Sequence, residues 1–148
     1  MTAPKITVLL GQVGTLLIGS LGLGLALHNQ RRQLDAQMFI EFSKRFADLL
    51  RLFPTEAWLA NRSPGQPLPP SSPELRDRTL YCIQFVADGY YLHKGRFIST
   101  SLWRLWEREI KRTLGGPLFS REWENVKAEF AHDPQFSHYI SCLTQRKS

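Results

Sequence analysis

His138 and Cys142 stand four residues apart in "SHYISC", so a helix would place both on one face. Imidazole and thiolate together are soft metal ligands, but two ligands do not close a site, and zinc or haem chemistry needs a converging set. The remaining histidines, His28, His93 and His132, form no HExxH pair, and Cys82 and Cys142 form no CxxC. Both cysteines sit in apolar helical surroundings and read as buried thiols. The carboxylates Glu107, Glu109, Glu122, Glu124 and Glu129 all have basic neighbours, the pattern of a solvated face. No GxSxG stretch accompanies them. From these residues we expect no enzyme, no catalytic group, no metal and no cofactor.

A glycine-rich stretch offers a different chemistry, phosphate binding. Gly22-Leu23-Gly24 begins a dinucleotide fingerprint, but Leu27 stands where its third glycine belongs. No lysine occurs between residues 6 and 28, which excludes a Walker loop.

The densest cluster is aromatic and basic. Trp103 and Trp106 are three apart on one helix face, and Arg104, Arg108 and Arg112 form the neighbouring stripe. Two readings compete. The tryptophans are core with snorkelling arginines beside them, or the whole face rests on a membrane surface or a partner. At least one tryptophan is expected in the core.

These groups need elements to hold them. Residues 6 to 27 carry no charge, and of the 19 Lys and Arg only Lys5 precedes them. About 20 apolar residues cross a bilayer core, so Ile6–Leu27 reads as a transmembrane helix. It exceeds the hydrophobic region of a signal peptide and lacks a good cleavage site, so it reads as retained. Arg31 and Arg32 outweigh Lys5 and place the C-terminal part in the cytoplasm. Gly11, Thr15, Gly19, Gly22 and Ala26, spaced 4, 4, 3 and 4, form a face of small side chains suited to close helix packing, and Gln12 suits the same contact. His28 falls at the expected membrane boundary, where an interfacial imidazole is comfortable. Ligating a haem or pigment in a larger assembly is the rarer use of such a residue.

Residues 1–33 are therefore the anchor with its basic flank, and 34–148 a cytoplasmic helical domain. The helix continues through "NQRRQLDAQMFIEFSKRFADLLRLF", with apolar residues at helical spacing until Pro54. A loop over 61–73 holds five prolines. Ser72-Pro73 starts a second helix, and Gly95 stops it. Gly89 within it marks a close helix crossing. A third helix runs from about Ser99 to Leu114, Ser120 caps a fourth, and Asp133-Pro134 starts a fifth. No strand pattern of useful length occurs. The fold class is all-α.

The segment "YYLHKGRFISTSLWRLWEREI…PLFSREWENVKAEF", with the exit Arg31, Arg32, Gln33 and the residues Gly95, Trp103, Trp106, Glu107 and Trp123, resembles bacterial single-pass membrane proteins with a small cytoplasmic helical domain. That resemblance implies a bacterial origin and this architecture, and no activity. The function expected is a non-catalytic accessory or scaffold subunit. Its partners are other transmembrane helices of a larger complex and anionic lipid headgroups, with no nucleic acid. The alternative is a membrane-anchored regulatory or sensory protein that associates with itself and binds a soluble partner.

Overall fold

A computed structural model describes the backbone of residues 3–63 and 65–145 and the side chains of residues 19–63 and 65–145. Among the described residues every element is helical. Helix α1 spans Ala3–Arg51, α2 Thr55–Arg62, α3 Pro73–Lys94, α4 Thr100–Leu114, α5 Pro117–Val126 and α6 Pro134–Thr144, with a 3-10 turn at Lys127–Phe130. Two compact units divide at Met38/Phe39. The first buried side chain of the second unit is Phe42, so the helix enters the core only there.

In the first unit, Leu21, Leu23, Leu25 and Leu27 are exposed, and a Cβ added at Gly19, Gly22 or Gly24 would meet nothing within 4 Å. No helix is long and apolar enough to cross a membrane among the described residues. Most of the expected span, Ile6–Ile18, lies outside the residues whose side chains are described, and so do Gly11, Gln12 and Thr15 of the small-residue face.

The second unit is built on aromatic packing. Phe42, Phe46 and Phe53 of α1 and its exit turn are buried, whereas Phe39 stays partly exposed. Phe42 stacks on Trp106 with ring centroids 3.7 Å apart, and touches Phe85 at 4.4 Å. Gly89 makes this possible: a Cβ there would lie 3.0 Å from Phe42 and 3.4 Å from Trp103. The interior glycine therefore marks a close crossing and repays its low helix propensity in aromatic contact.

Local signals set most of the helix ends. The Ser72 hydroxyl accepts from the Leu75 N–H at 3.2 Å, the Ser99 hydroxyl from Leu102, and the Asp133 carboxylate from Gln135 and Phe136, so three helices start on side-chain caps. Two expectations need correction. Helix α5 starts at Pro117 after Gly116 rather than at Ser120. Ser120 lies within its first turns and donates to the carbonyls of Gly116 and Thr144. Helix α2 falls where no helix was expected, in eight residues opened by Pro54. Ala57, Ala60 and Asn61 bury its inner side.

Asn61 ties that short helix to two others. Its amide donates to the Thr113 carbonyl at 3.0 Å and accepts from the Leu118 N–H at 3.1 Å, so one side chain satisfies the end of α4 and the start of α5. Gly116 is glycine because of this contact: a Cβ there would stand 2.2 Å from the Asn61 oxygen.

Candidate functional site

Helix α4 has two opposite sides. Leu102, Trp103, Trp106 and Ile110 point inward, and Trp103 and Trp106 are only 6% and 2% exposed. Both tryptophans are therefore core, and the reading that puts them on a surface or partner face fails for them. A period of 3.6 residues places Ser101, Arg104, Leu105, Arg108 and Arg112 on the other side, and all five are exposed. Arg112 pairs with Glu109 at 2.5 Å, and Lys111 on the flank pairs with Glu107 at 3.2 Å. Arg104 and Arg108 have no acidic partner among the described residues.

The turn that leads into this helix is unusual. The Phe97 N–H bonds to the Leu92 carbonyl at 2.9 Å and the Arg96 N–H to the His93 carbonyl at 3.0 Å, the Schellman closure of α3. That closure needs one residue in the left-handed region, usually glycine. Here Gly95 has φ −74, and Arg96 takes φ 59. A non-glycine residue in this region costs about 1–2 kcal/mol. Gly95 is needed one position earlier because a Cβ there would lie 2.7 Å from the Phe97 ring. Yet that ring is 77% exposed. The motif commonly buries an apolar contact between the residue at this position and the last turn of the helix. In this turn the strained backbone holds a basic and an aromatic side chain out in solvent.

Between residues 94 and 112 the chain carries six Lys and Arg and two Glu, a surplus of four in a protein of net charge +6. The basic character is thus concentrated on α4 and the turn before it.

Behind α4, the His93 ring lies parallel to Trp103 with centroids 5.1 Å apart, and Tyr139 of α6 packs on Tyr90 at 5.1 Å. Two buried polar atoms here, His93 Nδ1 and Trp106 Nε1, have no hydrogen-bond partner among the described residues. Burial first, then the negative Glu107, pushes the Tyr139 phenol up.

Glu122 departs from its expected place on a solvated face: it is 0% exposed. Its carboxylate accepts from Arg121, from Asn125 at 3.0 Å and from the Ser71 hydroxyl at 2.9 Å. Arg121 also donates to the Pro69 carbonyl at 2.7 Å. A buried carboxylate requires such partners, and these tie the proline-rich loop to α5. The pattern of basic neighbours is the same for a solvated glutamate, so only the loop's position reveals the difference.

His138 and Cys142 do share a face, with the sulfur 3.5 Å from Nε2. Both are exposed, so Cys142 is not the buried thiol its apolar surroundings suggest. It faces out because Ile140 and Thr144 take the inner positions of α6. Cys82 is buried, and burial pushes its thiol up to about 12. Among the described residues no three His, Cys, Asp or Glu side chains gather as a metal site. His28 is exposed beside Arg31 and Leu34 of its own helix.

A groove of about 420 Å³ opens between the end of α1 and α2, lined by Leu50, Phe53, Trp58 and Arg62 among others. Arg62 lies over the Trp58 ring at 4.6 Å. Sequence reasoning missed this feature with the helix that carries it.

No protein-family model, curated protein or solved structure matches the chain.

Proposed function

We propose that this protein is a non-catalytic accessory or scaffold subunit of a bacterial inner-membrane complex. Ile6–Leu27 is its single transmembrane helix, and the helical domain lies on the cytoplasmic side. The observation that carries this reading is the uncovered apolar surface of α1. Leu21, Leu23, Leu25 and Leu27 are exposed next to Gly19, Gly22 and Ala26, and the glycines have open space around them. Water is a poor solvent for such a surface, since each buried CH₂ is worth about 0.8 kcal/mol. Lipid suits the leucines, and close approach of another helix suits the small residues. The uncharged run of residues 6–27 followed by Arg31 and Arg32 supplies the length and the orientation.

The same small-residue face would serve a second copy of the chain, which is the regulatory or sensory alternative. Detergent extraction followed by native mass measurement separates the two. Foreign subunits retained at fixed stoichiometry support the accessory role. A homo-oligomer without them supports self-association. A detergent-free monomer in the aqueous fraction would remove both.

A further inference from the structure

We infer that the Arg96–Phe97 turn and the outward face of α4 form a docking surface for anionic phospholipid headgroups. The inference rests on the membrane-anchored reading above and adds the lipid chemistry and the residues that meet it.

Three observations converge. The first is the turn itself. Placing glycine at the left-handed position would close α3 without strain, but the chain has Arg96 there with φ 59. The second is Phe97, whose ring is 77% exposed although its backbone is held by the bond to Leu92. An aromatic ring with this exposure contributes little to the core. The third is charge. Arg104 and Arg108 are exposed without acidic partners among the described residues, and Leu105 is exposed between them.

The chemistry favours a phospholipid surface. Guanidinium groups bind phosphate oxygens in a bidentate fork. Aromatic rings and leucines sit at the headgroup boundary beside such contacts. The surface is a protruding turn and a helix face rather than a groove, which suits a soft interface that yields around it. A protein partner would instead have to supply a complementary hollow. Anchoring would keep the domain at high local lipid concentration, so a weak surface is enough.

The test uses the full chain in lipid nanodiscs, with Cys142→Ser and an environment-sensitive bimane attached through Ser101→Cys, a position on the outward face. Buried Cys82 stays unlabelled. In discs containing phosphatidylglycerol the probe should shift to the blue and lose access to acrylamide. In phosphatidylcholine discs it should do neither. Arg104→Ala and Arg108→Ala should each lower the docked-to-free ratio about fivefold, the equivalent of about 1 kcal/mol per basic residue. Salt near 1 M should do the same by screening.

Arg96→Gly is the discriminating variant. It should keep or raise the thermal midpoint by relieving the left-handed strain, while weakening docking. A lower midpoint with unchanged docking would make Arg96 structural and overturn the inference. So would a probe equally shifted in both kinds of disc, or unshifted in both. Protection that appears in detergent with rising protein concentration would assign the face to protein contact instead, and also overturn it. A chain that never enters discs would refute the anchor alone. Flotation of the free chain with anionic and with neutral vesicles, using the same variants, then decides the docking surface by itself.

Discussion

Trp106 and Arg108 are two residues apart, and their side chains do opposite work. Trp106 is 2% exposed and stacks on Phe42, while Arg108 faces solvent. Trp106→Ala should therefore cost about 3–5 kcal/mol by removing a large buried ring and leaving a cavity. Arg108→Ala should change stability by no more than about 0.5 kcal/mol. Urea unfolding of both variants checks the contrast, and equal losses would contradict the burial. Asp133 offers a pH test. The Phe136 N–H, then the Tyr91 hydroxyl and the Gln135 N–H, hold its carboxyl below the ordinary carboxylate range. A depressed folded value contributes stability that is present above the unfolded value, about 3.9, and disappears as pH falls through the folded one. The thermal midpoint of the wild type should exceed that of Asp133→Asn by a constant amount above about pH 5, and the gap should narrow as pH drops below about 4. A gap that does not narrow would show that the carboxylate's charge plays no part. The Tyr91 phenol is pushed up to about 12 by the same contact, so it stays protonated and donating throughout that range.

Helix starts were the most legible elements, because a cap is a local event. Ser72 with Pro73, Ser99, and Asp133 with Pro134 each announce their helix in two residues. Helix α2 was illegible for the converse reason. Eight residues are too few to show a period, and isolated helices of that length are unstable in water. It exists because Ala57 and Ala60 are buried and Asn61 closes bonds to Thr113 and Leu118, residues more than fifty positions away. At α5, the Gly116-Pro117 start was passed over for Ser120, whose hydroxyl is in fact spent on two carbonyls. Helix α1 carries the prediction for this scale. Gly22→Leu and Gly19→Leu should weaken association in a membrane two-hybrid assay by blocking close approach, while Leu21→Ile on the far side should have little effect. Equal behaviour of all three would mean that the glycines are ordinary helix content.

For the whole molecule, orientation is the testable quantity. Arg31 and Arg32 against a lone Lys5 predict a cytoplasmic C-terminus. A C-terminal fusion to alkaline phosphatase should stay inactive and one to green fluorescent protein should glow, and the reverse pair would invert the topology. The sequence by itself determined the all-α class, because helical periodicity and caps are read within a few residues. It also marked an apolar N-terminal run and a helical domain after it, and Gly89 as a close crossing. Tertiary structure alone decided which side of each amphipathic helix is inward. Trp103 and Trp106 entered the core because Phe42 and Gly89 meet them there, leaving the arginines of α4 outside. Glu122 was buried, and Cys142 exposed, by the same kind of choice. A carboxylate's basic neighbours look alike in a solvated row and in a buried clasp, and the difference lies in Ser71 and Pro69, about fifty residues away along the chain but within hydrogen-bond reach in the fold.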